Sequence, residues 1–364
     1  MQELLEKLVS FKSTENNPEE IQNGLTYIAS LFDSLKYDVV WYEKNGKYSL
    51  LISFKGHDGL NPKFLLNGHF DVVPAESNDQ YAMKVEGGMA YGRGTLDMKG
   101  MVAVLLEVML ELGKRESKPN VAVLLNGDEE IGGSDGAGYL VREINMRPDF
   151  VICPDAGYEG NFEIVTKEKG IAWVEIRSIG KSAHGAFLWK GDNALEKLIR
   201  AVEKIKQWIG PVEPEAWKTT VNFSMLTVPN KTPNKVPGEA TALLDIRFTE
   251  QIARTAQELT KKIKDLVPEV EVTLKESGSL LFVEEDNATV KSFKKIAQEV
   301  LGEEVPFAFE HGATDLRYFG EVGIPGVLFG AKGQNMHAAG EWVDLQSLEN
   351  NKKILLTFLL SQSL

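Results

Sequence analysis

The chain reads as an α/β protein with a mostly parallel sheet, interrupted by an inserted ferredoxin-like α+β domain. Three observations predict this. Strand-like and helix-like runs alternate through the first half, polar and acidic residues follow those strands directly, and from about Gly170 the rhythm becomes β-α-β-β-α-β before the first pattern resumes. A length of 364 residues exceeds the usual size of one hydrophobic core. We therefore expect one domain built from residues 1–169 and 283–364, with an insertion over 170–282.

Taken in order, Met1 to Ser10 sets Glu3, Glu6 and Lys7 among Leu4, Leu5, Leu8 and Val9, which predicts an amphipathic helix and lacks the apolar core of a signal peptide. Phe64 to Asn67 is expected as extended, Lys99 to Leu112 as helical, and Val121 to Asn126 and Phe150 to Cys153 as extended. The insertion is expected to run Ile171 to Ile179 extended, Asn193 to Trp208 helical, Thr219 to Val228 and Ala240 to Phe248 extended, Ile252 to Leu266 helical, and Val270 to Leu274 extended. Its proline-rich stretch, Val228 to Pro237, suits a hairpin loop and not a linker. After Asp286 a helix should reach Leu301, Val327 to Phe329 should form another buried strand, and a helix holding Leu355, Leu356, Phe358 and Leu359 should close the fold. No internal repeat or low-complexity tract interrupts this order.

Composition excludes several functions. Forty basic against 53 acidic residues give a net charge of −13, which repels phosphate backbones and anionic membranes, so neither nucleic acid nor a membrane is expected as partner. No apolar run is long enough to cross a bilayer. The single cysteine, Cys153, permits no internal disulfide and fits a reducing cytoplasm; lying in an apolar strand end, it suits packing better than nucleophilic attack.

The chemistry sits in turns beside apolar runs. Gly68-His69-Phe70-Asp71 places His69 and Asp71 two apart at a strand end, on one face, where the carboxylate could hold the second imidazole nitrogen and raise its basicity. Gly92-Arg93-Gly94-Thr95-Leu96-Asp97 precedes a helix but matches neither the Walker spacing nor the dinucleotide fingerprint. Asp97 there is an N-cap or a carboxylate able to bridge two metals. Asp128-Glu129-Glu130 would repel unless something cationic or a proton relieves it, and adjacent side chains diverge, which suits Glu130 on a metal and Glu129 toward water. Of the five histidines, only His57 looks like an exposed turn residue, whereas His69, His184, His311 and His337 lie in segments flanked by Gly, Ala or Asp. His69, Asp97, Glu130, Asp155 and His337 make a ligand set of two imidazoles and three carboxylates. That set places −3 against the +4 of two zinc ions, a remainder that a bridging hydroxide would neutralise. His337 lies 182 positions beyond Asp155 and can join the others only if the insertion loops out and returns.

The ordered set Gly68 to Pro74, Gly92 to Gly100, Asp128 to Gly133, Pro154-Asp155 and His337 strongly resembles the ArgE/DapE/aminoacylase/carboxypeptidase G family of zinc hydrolases, over nearly the whole chain. The resemblance implies a zinc-exopeptidase-like catalytic domain with a lid or dimerisation domain inserted. It assigns His69, Asp97 and Asp155 to one zinc and Asp97, Glu130 and His337 to a second, with Asp71 behind the histidine ligand and Glu129 as general base. Gly180-Lys181-Ser182-Ala183-His184-Gly185 resembles the lid segment whose histidine stabilises the oxyanion, in dimeric members within the partner's site. Asn234, Arg247, Gly312 and Thr314 resemble contacts to the substrate, an arginine fork suiting a free carboxylate.

The family implies a cytoplasmic homodimer acting on a small N-acyl amino acid, as a deacetylase or desuccinylase does, with cobalt or manganese as alternatives to zinc. Asp155 stands where desuccinylases use Glu, which moves weight toward a dipeptidase or aminopeptidase. Phe187-Leu188-Trp189 replaces the usual lid proline, and His311 precedes Gly312 where a small residue is common. A different class, a non-catalytic dimeric binding protein on the same fold, would have no need of Glu129.

Overall fold

Six consecutive buried residues in Val121–Asn126, with no polar alternation, dictate a strand covered on both faces. That strand lies inside a sheet described by a computed structural model covering residues 1–157 and 160–362. The chain divides into two compact units. The first comprises Met1–Thr166, Val283–Ala308 and Thr314–Leu364; the second comprises Lys167–Phe282 and Phe309–Ala313.

In the first unit, α1 (Gln2–Ser10) and α2 (Pro18–Ser30) lead into the hairpin β1 (Tyr37–Lys44) and β2 (Lys47–Phe54), then β3 (Phe64–His69). The short β4 (Lys84–Glu86) and β5 (Met89–Tyr91) precede α3 (Lys99–Leu112), β6 (Val121–Asn126), α4 (Ala137–Arg142), β7 (Phe150–Cys153) and β8 (Ile164–Glu168). Almost every side chain of α3 is buried, since it packs between the sheet and neighbouring helices; an amphipathic surface helix would bury one stripe only.

The second unit runs β9 (Gly170–Ile179), α5 (Ala194–Ile209), β10 (Thr220–Thr227), β11 (Glu239–Phe248), α6 (Ala256–Leu266), β12 (Glu271–Gly278) and β13 (Leu281–Phe282). Its antiparallel sheet has the order β10-β11-β9-β12, the arrangement of a ferredoxin-like unit, and β11 alternates buried and half-buried residues along its whole length. Val174, Ile176, Leu244 and Ile246 meet Leu198, Val202, Leu259 and Ile263 of the two helices in its core. The proline-rich stretch joins the antiparallel pair β10 and β11 as a hairpin loop. The α6 helix starts at Ala256 and not at Ile252, because the Thr255 side chain accepts the Glu258 N–H and caps it.

The chain then forms α7 (Ala288–Leu301), β14 (Phe307–Glu310), α8 (Leu316–Glu321), β15 (Gly326–Leu328), β16 (Gly333–Gln334), β17 (Trp342–Asp344) and α9 (Leu345–Ser361). The first unit resumes at Val283, and a short later segment, Phe309–Ala313, groups with the second unit, which the sequence reading did not anticipate. In the first unit the main sheet has the order β1-β2-β6-β3-β7-β15-β8, parallel through β6, β3, β7 and β15. Phe293 stacks edge-on against Phe358 and Phe329, and Phe64 against Phe358, which fastens α7 and α9 to the sheet. Three parallel strands, β3, β6 and β7, end in the segments that hold His69, Asp128 to Glu130 and Asp155. Loops outside the carboxyl ends of parallel strands are where open α/β sheets place their sites.

Candidate metal centre

His69 is the last residue of β3 and is buried. Its Nδ1 lies 2.9 Å from the Asp71 backbone carbonyl, an acceptor only, so Nδ1 bears a proton and Nε2 is the nitrogen directed at the acidic cluster. Nε2 faces Asp97 Oδ1 at 2.9 Å and Asp155 Oδ2 at 3.8 Å. The sequence expectation gave the second nitrogen to the Asp71 carboxylate. That group lies 3.5 Å from Nδ1, and it also accepts the N–H groups of Glu129 at 3.2 Å and Glu130 at 3.0 Å.

Asp97 stands at the centre. Its Oδ2 lies 2.9 Å from His337 Nε2, so each carboxylate oxygen faces a different imidazole. Glu130 Oε2 approaches the same His337 nitrogen at 3.1 Å, while Oε1 accepts the Val73 N–H. His337 adopts φ +61°, a left-handed conformation rare outside glycine, and is the most exposed of the five expected ligands. Single atoms of His69, Asp97 and Glu130 lie within 4.8 Å of one another, as do those of His69, Glu129 and Asp155.

The donor chemistry fits a divalent cation. The contacts of 2.9 and 3.8 Å around His69 Nε2 bracket the roughly 3.3 Å ligand separation that ~2.0–2.1 Å bonds give in a tetrahedral site. Burial raises the Asp97 carboxyl, yet hydrogen bonds to His337 and His69 hold it far below the carboxylate range. Hydrogen bonds to Asp97 and Glu130 lift His337 to about 10. Burial pushes Glu129 well above the carboxylate range; His69 opposes it, and the charges of Asp155, Asp315 and Asp97 add to it. A carboxyl that holds its proton beside acceptor-only neighbours is suited to proton transfer.

Several supporting residues were not anticipated from sequence. Buried Glu341 accepts the N–H groups of Gly94, Leu96 and Asp97 at 3.0, 2.9 and 3.2 Å and pairs with Arg93 Nη1 at 2.6 Å. The glycine-rich turn therefore wraps a protein carboxylate, and this interaction fixes Asp97. Lys99 is buried, donates to the Phe11 carbonyl at 2.7 Å and is lowered to about 7 by desolvation. Asp315 accepts from Asn126 Nδ2 at 2.7 Å and is raised to about 8, first by burial and then by the Asp128 charge. A signal for Glu341 was available, since an acidic residue set between Gly340 and Trp342 close to His337 invites a structural question.

The remaining expected residues lie apart from this cluster in sequence and mostly in the second unit. His184 forms an isolated bridge with Lys235, and its Nδ1 accepts the Ala186 N–H at 3.1 Å, which leaves Nε2 as the protonated nitrogen. The Asn234 carbonyl accepts the Gly185 N–H at 2.7 Å, so the structure brings these two segments together. Arg247 pairs with Asp245, two residues back on the same face of β11, at 2.9 Å. Gly312 belongs to the second unit and Thr314 to the first. Buried Thr314 lies two residues before α8, its hydroxyl accepting the Leu316 N–H at 3.3 Å. Phe187, Leu188 and Trp189 are exposed beside His184, whose ring lies 5.7 Å from that of Phe187.

Chemistry of this kind needs no nucleophilic side chain, because imidazoles and carboxylates around a cation activate water instead. The class is that of a metal-dependent amide hydrolase. The pattern of peptidase family M20/M25/M40 matches residues 65–361, and the chain belongs to that family. A succinyl-diaminopimelate desuccinylase of Acidiphilium cryptum is 26% identical over 93% of this chain and 92% of its own, and one of Gluconobacter oxydans is 28% identical over 84% and 82%. A tripeptidase of Staphylococcus aureus superposes with a TM-score of 0.74 at 22% identity, covering 100% of this chain and 97% of the other. An aminopeptidase of Bacillus cereus does so at 0.76 and 19%, covering 99% and 98%. The structural likenesses bear out the α/β fold with a mostly parallel central sheet expected from sequence, and membership of the family sets aside a non-catalytic binding protein. Among the described residues, no helix is long and apolar enough to cross a membrane.

Proposed function

We propose that the enzyme removes the acyl group from a small N-acyl amino acid, using two divalent ions, zinc in our reading, with cobalt or manganese also suited to the donors. One observation carries the reading: the two oxygens of Asp97 face two different imidazoles, each at 2.9 Å. His69, Asp97 and Asp155 would hold one ion and Asp97, Glu130 and His337 the other. When bound, such ions polarise the scissile carbonyl and lower the pKa of water from ~15.7 to about 7.

Glu129 takes the water's proton on its carboxylate and passes it to the departing amine nitrogen, its burial favouring the protonated state between those steps. Asp71 holds the Glu129 and Glu130 amides while its own carbonyl orients His69. His184 donates from Nε2 to the developing oxyanion. Arg247, exchanging Asp245 for the substrate carboxylate, orients the substrate together with Asn234, Gly312 and Thr314. The edge strand β10 supports a homodimer, since Phe223, Met225 and Leu226 are exposed along it and, among the described residues, one side of its backbone pairs with no other strand. The lone buried Cys153 supports a reducing compartment.

Asp155 favours a second reading, a dipeptidase with the same centre. N-acetyl and N-succinyl amino acids and unblocked dipeptides, each assayed with zinc, cobalt and manganese, separate the two. Acyl substrates should show kcat/KM at least about tenfold above dipeptides. The reverse order selects the dipeptidase, and no hydrolysis with any metal refutes both.

A further inference from the structure

Behind the acidic turn, two side chains of one helix converge on one carbonyl. Gly132 closes the Glu129–Ile131 turn with φ +105°, and its N–H donates to the Glu129 carbonyl at 2.8 Å. The Gly132 carbonyl in turn accepts Arg317 Nη2 at 2.6 Å and the Tyr318 hydroxyl. Both donors come from α8 in the first unit, and they brace each other, Arg317 Nη2 lying 3.3 Å from the Tyr318 oxygen. The Tyr318 ring has the guanidinium groups of Arg142 and Arg317 each 4.9 Å from its centroid, which holds the hydroxyl end in place. The next residue, Gly133, has φ +63°, and a Cβ there would fall 2.0 Å from Asp315 Oδ1. At Gly133 the segment leading into the helix therefore leaves no room for a side chain.

On the other side, the Asp71 carboxylate holds the Glu129 and Glu130 amides. The turn is thus gripped at its amide end by Asp71 and at its carbonyl end by Arg317 and Tyr318. A 3-10 turn needs only its own Gly132 to Glu129 bond to close. Two further donors on the terminal carbonyl fix its angle, and the directions of both Glu129 and Glu130 depend on that angle.

We propose that Arg317 and Tyr318 are positioning residues that set the angle of the Glu129–Ile131 turn, and with it the reach of Glu129 to the reacting water and of Glu130 to the metal. The inference rests on Glu129 being the general base. It is tested with Y318F, R317M, the double variant and R317K, measuring kcat, KM, folded fraction by circular dichroism, and metal uptake by the chelated protein. In the folded double variant kcat should fall ~10–100-fold while KM moves less than about threefold, as loss of groups that orient ligands typically does. R317K, which can still donate to the carbonyl, should recover most of the rate. Weaker metal uptake would locate the effect on Glu130 and unchanged uptake on Glu129, and either supports the proposal once kcat has fallen. An unchanged kcat overturns it, as does a loss that only follows the unfolded fraction. Should the double variant not fold, Y318F, which lacks one hydroxyl, decides alone. E129Q in the same assay separates the two layers: full activity there refutes the base itself, whereas an inactive E129Q beside an active double variant refutes only the positioning role.

Discussion

In the first unit, Arg93 and Glu341 meet at 2.6 Å with each side chain 1% exposed, whereas in the second unit Arg177 pairs with Glu239 and Glu271 while the three remain 42%, 44% and 59% exposed. The same contrast runs through the site residues. His69, Asp97 and Asp155 are buried and cross-bonded, while His184 is exposed and Arg247 is half-exposed and, among the described residues, paired with its own strand neighbour. The first unit commits its charges to one fixed constellation. The second leaves its charged side chains exposed or paired close by in sequence or across neighbouring strands.

The comparison breaks most readily at Glu129. Substituting it with Gln keeps its shape and leaves the proposed metal ligands alone, so kcat should fall by ~10²–10⁴ with metal content retained. Substantial turnover would remove the first unit's claim to the chemistry. The two ion pairs give the next largest contrast. E341Q leaves the Arg93 charge buried without its partner and should destabilise by about 3–5 kcal/mol in urea unfolding. E239Q should leave the midpoint unchanged, and equal losses would show that burial does not divide the two units.

H184A tests the second unit directly. Loss of one oxyanion donor should lower kcat by ~10²–10³ without affecting metal content, and loss of metal would mean the division of labour is drawn in the wrong place. A further test, of pH dependence, concerns Asp315, whose carboxyl burial and the Asp128 charge raise to about 8. From about pH 4 toward 8 the folded form keeps a proton that the unfolded chain has lost, so this contribution to stability declines as pH rises. Replacing Asp315 with Asn should flatten the stability profile across that window. An unaltered slope would contradict the assignment.

Legibility in the sequence followed the same division. The largely apolar helix α3 and the strand Val121–Asn126 appear with the expected bounds, because near-complete burial leaves a dense apolar signature. The β-α-β-β-α-β order of the second unit was equally readable. The hairpin of β1 and β2 was not anticipated, since β1 mixes buried, half-buried and exposed positions without strict alternation, and β4, β5, β16 and β17 are too short to show any period. Within the site, His69, Glu130 and Asp155 stood out because they follow apolar strands. Glu341 did not, since its partner Arg93 lies 248 positions away, and no local pattern links residues that only the closed fold brings together. Arg317 and Tyr318 were hidden for the same reason, 185 and 186 positions from the carbonyl they hold.

The central claim is that the first unit gathers His69, Asp97, Glu130, Asp155 and His337 around a pair of divalent ions that share Asp97. Calorimetric titration of zinc into the chelated protein tests it most directly, with D97A as control. The account predicts two equivalents taken up by the protein and loss of tight uptake of both in D97A. A single equivalent, no uptake, or a D97A variant that still binds two ions would contradict it.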